Sequence, residues 1–327
     1  ARPWACWTWR PPVPRKLRIL TWHVHGNYLF NLTQVPHDFL VLADEVRSPC
    51  YAGRSGTLPW GDNVIELPVS ELPTAQFDCV LYQSRAQWEH EREHLLTPAQ
   101  QRLPSVYLEH DPPQEHPTST RHFVQDRNTL VVHCTPFNRL MWDMGDTPAT
   151  VVEHGVMLPR PATYSGELSR GIVVVNNLAR RGRRLGLDVY CTIREQLPVD
   201  LVGMDSKRVG GLGEIDNMEL ASYIARYRFF FNPIRWTSLG LAIIEAMMVG
   251  MPVVGLATTE LVTVIENGKT GYVDTRLDRL VEHMQRLLED PAEARRLGEN
   301  AKRYARARFG IERFVKDWMQ VFDAVTS

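Results

Sequence analysis

The chain has 327 residues, 44% hydrophobic and 23% charged, with a formal net charge of −1. That length suits two domains of roughly 150 residues each, and no apolar run approaches the roughly 18 residues of a membrane span. A charge near zero gives nothing global to draw the chain to nucleic acid or to an anionic membrane, so partners must be read from sites.

Residues 1–16 open with three tryptophans and four prolines and no apolar stretch of the kind that heads a secretory leader; they read as an irregular N-terminal arm. Short apolar runs bounded by turn residues then alternate with stretches of helical spacing, the pattern of parallel sheets covered by helices, so an α/β fold is expected. In the first half, strands are expected at Leu17–Trp22, Phe39–Leu42, Cys79–Tyr82, Val106–Leu108, Leu130–His133 and Val151–Glu153. In the second half they are expected at Gly171–Val175, Asp200–Val202, Phe229–Asn232, Pro252–Val254 and Tyr272–Val273. Helices near Asn217–Ala225, Leu241–Val249, Leu277–Leu288 and Ala292–Arg308 lie between or after them. Each half reads as a doubly wound sheet, 17–158 and 168–309, with the seam in Leu158–Glu167, where two prolines, a glycine and a serine gather. The segment 310–327 closes the chain with Phe314, Val315, Trp318, Val321, Phe322 and Val325 on one helical stripe, an amphipathic helix that packs back on its own chain. Five cysteines, Cys6, Cys50, Cys79, Cys134 and Cys191, stand without CxxC spacing, which disfavours a disulfide framework or a cysteine zinc site and suits a reducing cytoplasm.

Residues 229–254, FFFNPIRWTSLGLAIIEAMMVGMPVV, hold the main chemical signal. A buried strand ends at Pro233, a loop follows, and the small Ser238 and Gly240 let backbone amides approach a ligand where a helix begins. Free N–H groups and the positive end of the helix dipole suit a pyrophosphate there. This block resembles the donor-site signature of the retaining GT-B glycosyltransferases of family GT4 (glycosyltransferase group 1). The order and spacing of ELVTVIENGKTGYV at 260–273, Asp290, Pro291 and the stretch 306–314 extend the resemblance, as do Val131–Arg139 and VVEHGV at 151–156; it is faint before residue 105. It implies two Rossmann-like domains facing a cleft, an acceptor domain at 17–158 and a donor domain at 168–309, with the terminal helix crossing back to the first.

The resemblance also implies roles. Glu245 would hold the ribose hydroxyls of a nucleotide, and the amides around Ser238, Leu239, Gly240 and Leu241 would hold its phosphates. His110, in the Glu109-His110-Asp111 step after a strand, would sit by the donor sugar, where strand ends face a ligand crevice. Gly26 and Asn27, after His25 and the first strand, resemble the family's glycine loop, with one glycine instead of a pair. Arg180 and Arg181, from the run Asn176–Arg184, are the choice for gripping the diphosphate, because guanidinium forks suit phosphate oxygens. One departure is clear: the family places a glutamate eight positions before Glu245, and here that position is Thr237. That glutamate contacts the transferred sugar, so Thr237 implies an unusual donor sugar, another group in its place, or lost activity. The expected donor is a nucleoside-diphosphate sugar, with a saccharide, lipid-linked or small-molecule acceptor. No cofactor, metal or nucleic acid is expected, and peripheral membrane contact stays open.

Three other patterns weigh against this one. His90, Glu91 and His94 satisfy the HExxH pattern of zinc peptidases, but Glu89, Arg92 and Glu93 crowd the motif, and a solvated helix is the better reading. Gly268-Lys269-Thr270 lacks the P-loop glycine five residues earlier, where Thr263 stands, and reads as a turn at Asn267-Gly268. The GGLG at 210–213 lacks the third glycine of a dinucleotide fingerprint, so NAD is not expected.

Overall fold

The computed structural model describes residues 15–327, so residues 1–14 of the expected arm lie outside the described residues. Seven strands, β1 Arg18–Thr21, β2 Asp38–Ala43, β3 Val64–Pro68, β4 Cys79–Tyr82, β5 Ser105–Glu109, β6 Thr129–His133 and β7 Ala149–Val151, form one sheet. Its order is β3-β2-β1-β4-β5-β6-β7, with every neighbouring pair parallel. A second, five-stranded parallel sheet holds β8 Leu168–Val174, β9 Val199–Val202, β10 Tyr227–Asn232, β11 Val253–Leu256 and β12 Gly271–Asp274, ordered β12-β11-β10-β8-β9.

Burial explains why these residues form strands. Strands β1, β4, β5 and β10 are buried along nearly their whole length, as expected where helices cover both faces, and they are correspondingly rich in Ile, Leu, Val and Phe. Strand β3 was not expected, because Glu66 and Pro68 interrupt its apolar residues. It occupies the sheet edge, where a charge and a proline are tolerated. Strand β7 lies two residues earlier than expected, at Ala149–Val151.

In each sheet the strand order reverses once, between β1 and β4 and between β8 and β10, and the loops after these strands open a crevice at their C-terminal ends. Helix Ile311–Thr326 packs beneath the first sheet. Phe314, Trp318, Val321 and Phe322 are buried in one cluster with Leu17, Ile19, Phe39, Val41, Leu81 and Val106. Gly155 leaves the space for this contact, since a Cβ there would stand 2.1 Å from Phe314 Cβ. Among the described residues no helix is long and apolar enough to cross a membrane.

The HExxH segment is not a continuous α-helix. Residues Gln87–Glu91 form a π-turn and only Arg92–Leu95 is α-helical, so the i, i+4 face on which two zinc-binding histidines would align is broken. His94 Nδ1 lies 2.7 Å from the carbonyl of His90, and Glu91 turns toward Tyr51 and Cys50. Among the described residues no group of three His, Cys, Asp or Glu stands together as a metal site. Asn267 closes the turn before β12, its side chain bonded to Val273 N at 2.6 Å and Val273 O at 3.0 Å.

Candidate active site

The expected site residues gather where the two crevices face each other. Strand β5 ends in Glu109, and the chain turns at once because Glu109 Oε1 accepts the Asp111 N–H at 2.9 Å, which sets His110 at the mouth. Gln83 donates its side-chain N–H to the Trp22 carbonyl, so its Oε1 is free only to accept, and His110 Nε2 lies 3.3 Å from it. His110 is therefore the neutral Nε2–H tautomer. Burial, together with the neighbouring His25 and His154, lowers its pKa well below the ordinary value and keeps it neutral. Its ring meets the edges of His25 at 4.4 Å and Tyr28 at 5.0 Å.

His154, in the strand-end step that the resemblance assigned to the close of the first domain, is also buried. Burial, opposed in part by the Leu239 backbone, brings its pKa down to about 4. Gly26 opens helix Gly26–Leu32, and Asn27 Nδ2 reaches Asn217 Oδ1 across the cleft at 3.5 Å.

The second half supplies the opposite wall. Loop 233–240 leads from β10 into helix Leu241–Val249, whose N-cap Gly240 brings no side-chain cap. A Cβ at Gly240 would meet only Ile243 Cδ1, at 3.8 Å, so space stands open before the free amides. Leu239 is buried in the core of this half, while Leu241 packs against the cores of both halves.

Glu245, one turn into the helix, is 8% exposed, and burial alone pushes its pKa up to about 7, with no donor or cation opposing it. Thr237 is half-buried at the same loop. Ser238 differs from expectation. It is buried, and its Oγ accepts from Asn138 Nδ2 at 3.1 Å, so it fastens the donor loop to the first half rather than leaving room for a ligand. The same amide donates to the His110 carbonyl at 3.2 Å, which makes Asn138 the link between the two walls.

The arginines sort by position. Arg183 and Arg235 are bound to Asp188, and Arg180 is exposed. Arg181 faces the cleft, with its pKa lowered by burial and by neighbouring Arg184, and raised in part by Asp111. Arg184 is thus the arginine beside Arg181; it was not singled out from the sequence, where four arginines in five residues look alike. Trp236, also unremarked, donates Nε1–H to the Pro113 carbonyl at 2.9 Å and packs edge-on against Phe137 at 5.4 Å, a second bond between donor loop and first half. Asn138 carried a readable signal, because Thr135 and Pro136 are a helix cap followed by proline at the first helical position.

Comparison with known proteins bears on the fold and on part of the second half. Residues 206–304 match the family model of glycosyl transferases group 1. A sucrose synthase of Denitrovibrio acetiphilus is 30% identical over 131 residues, 37% of this chain and 17% of that protein. The lipopolysaccharide core biosynthesis mannosyltransferase LpcC of Rhizobium leguminosarum bv. viciae is 26% identical over 204 residues, 51% of this chain and 57% of that one. The match thus spans less than two thirds of either relative. Among solved structures, Anabaena HepE in complex with UDP and glucose superposes with a TM-score of 0.70 at 14% identity, covering 94% of this chain and 99% of that one, a likeness of fold. Residues 206–304 are thus similar to the glycosyl transferases group 1 family, and the two parallel sheets have the GT-B fold.

Proposed function

We propose that the chain is a glycosyltransferase that moves a sugar from a nucleoside-diphosphate-sugar donor to an acceptor held by the first half, with retention of configuration and without a metal. The observation that carries this reading is Glu245, a buried carboxyl with no hydrogen-bond donor or cation among the described residues to satisfy it, beside open space at a helix N-terminus. Burying such a group is costly unless a ligand supplies the donors, and a ribose diol would. The family match, which spans this helix, and the likeness to a protein solved with UDP and glucose support it.

In this reading Arg181, Arg184 and the amides of Leu239, Gly240 and Leu241 hold the diphosphate. They form a fixed set of donors for the charge that grows on the leaving group, in a cleft that excludes water. Gly26 and Asn27 face the phosphates from the other wall, and neutral His110 stands beside the transferred sugar. The setting proposed is the cytoplasm, in keeping with the free thiols of Cys50, Cys79, Cys134 and Cys191.

Thermal unfolding with UDP, GDP, dTDP and ADP tests the donor site. One of them at a hundredfold excess over Kd adds about 2.7 kcal/mol, a rise on the order of 5 °C. No shift with any of the four would remove the donor site.

One observation favours a second reading, a sugar-nucleotide binder without turnover: Thr237 stands where the family has a sugar-contacting glutamate. A threonine hydroxyl offers one weaker partner in place of two strong ones. If the enzyme is active, Thr237→Glu lowers transfer from the native donor and improves use of a common hexose donor; in a binder the wild type releases no nucleoside diphosphate from any donor. Equal rates and identical donor profiles for both proteins would show that residue 237 does not face the sugar.

A further inference from the structure

We propose that a cavity of about 460 Å³ at the C-terminal ends of β4 and β5 is the acceptor pocket, and that it takes a hydroxyl-rich ring carrying no negative charge. The proposal rests on the reading of the cleft as a transferase site and adds the chemistry of the acceptor. The volume lies within the range of small-molecule pockets, roughly 300–1,000 Å³. All the walls come from the first half, and His25 and His110 form the side shared with the cleft. A ligand here would therefore lie next to the group that the donor wall presents.

Charge and hydrogen-bonding capacity select the ligand. Three carboxylates line the cavity, Glu109, Asp111 and Glu115, against two guanidinium groups, Arg85 and Arg121. Arg85 is committed: it donates to Glu89 and Glu115 and lies over the Phe123 ring at 5.3 Å. Arg121 donates its Nε–H to the neutral amide of Gln125 at 2.9 Å and pairs with no carboxylate among the described residues. His25 and His110 add no charge, since desolvation holds the pKa of each below its ordinary value. With Arg85 and Glu115 paired, a phosphate or carboxylate on the ligand would meet the two carboxyl groups of Glu109 and Asp111 against the one unpaired guanidinium of Arg121.

What remains open is acceptor capacity. Asp111 has only its backbone engaged, through Glu109 and Trp142. Glu109, 7% exposed, receives one N–H from His122 and one from Asp111, each on a different oxygen, which leaves a lone pair on each. His122 Nδ1 accepts the Val124 N–H and its Nε2 faces Glu109 Oε2 at 3.1 Å, while burial pushes the pKa of the Glu109 carboxyl above its ordinary value. Carboxylates with spare lone pairs in a small polar pocket match the hydroxyls of a saccharide ring. The same lining does not suit an acyl chain, nor a sugar phosphate or uronate.

Calorimetry decides it. The full chain is titrated with a panel of methyl hexosides and pentosides and with glucuronate and glucose 6-phosphate, each with and without the nucleoside diphosphate that binds. At least one neutral glycoside is expected to bind, with the anionic sugars at least tenfold weaker. Glu115→Lys changes a side chain that is 73% exposed, so folding is not at risk, and it puts a cation in place of a carboxylate of the lining while Arg85 keeps its bond to Glu89; it should narrow that gap at least fivefold while leaving nucleoside diphosphate affinity unchanged. Tighter binding of an anionic sugar, a selectivity that Glu115→Lys does not move, or no sugar binding by a protein that still binds a nucleoside diphosphate would overturn the acceptor proposal alone. Loss of nucleoside diphosphate binding in the wild type would overturn the transferase reading beneath it as well.

Discussion

Glu245 is the residue on which the proposed donor site turns, and its buried carboxyl makes two properties depend on pH. Folding raises its pKa from the usual carboxylate value to about 7, so between pH 4.5 and 7 the folded chain holds a proton that the unfolded chain has lost. Stability from this group is therefore present at low pH, declines as pH rises through that window, and is level above pH 7, a total on the order of 3 kcal/mol. Glu245→Gln should flatten this part of the profile of the ligand-free protein in chemical denaturation. Nucleotide binding has the opposite slope, because a diol donates best to the ionised carboxylate. Affinity is expected to rise roughly tenfold from pH 6 to pH 8 in the wild type and to stay flat, and lower, in Glu245→Gln. A wild-type affinity independent of pH would show that Glu245 does not meet the ligand. The sequence made Glu245, His110 and the helix start at Leu241 readable because each sits at a fixed step from a strand or helix end. It could not separate Arg184 from Arg180, nor reveal that Ser238 is bonded to Asn138, since both depend on which groups the opposite half brings near.

Among the elements, helix Ile311–Thr326 was legible from its apolar stripe alone, and the stripe is what the first sheet covers. Trp318 is fully buried between Phe314 at 6.3 Å and Phe322 at 5.3 Å. Trp318→Ala should cost about 3–5 kcal/mol in denaturant unfolding, the range for a large aromatic removed from a core. A change within 0.5 kcal/mol would mean that the helix contributes little to the first half. The π-turn at Gln87–Glu91 marks the reverse case. Its HExxH letters look like a motif, yet periodicity says nothing of a local change of helical pitch, and it is the pitch that parts the two histidines. Strand β3 escaped notice because edge strands need no continuous apolar run.

At the scale of the whole molecule the two halves are joined by charge as well as by the terminal helix. Arg308 bonds Glu153 of the first half and Glu260 of the second, the latter at 3.1 Å, and donates to the Thr263 carbonyl at 3.0 Å. Glu260 is 2% exposed, and its other oxygen accepts the Phe137 N–H at 3.0 Å. Arg308→Met leaves Glu260 buried without its cation and should cost on the order of 3 kcal/mol, most of it recovered in the double change Arg308→Met, Glu260→Gln. Full additivity of the two single effects would show that the pair does not act as a unit.

The return of helix Ile311–Thr326 to the first sheet also bears on how the chain is made. Ile19 and Phe39 share a cluster with Trp318 and Phe322, so the first half to leave the ribosome has an apolar face that cannot be covered until residues near position 322 follow. Contacts of such sequence separation raise contact order and slow folding. At translation rates of about 5–20 residues per second, the nascent first half waits on the order of ten seconds or more with that face bare. During that interval it is a natural client for chaperones that hold exposed hydrophobic surface, whereas the five-stranded half, complete within its own stretch of chain, can fold as it emerges.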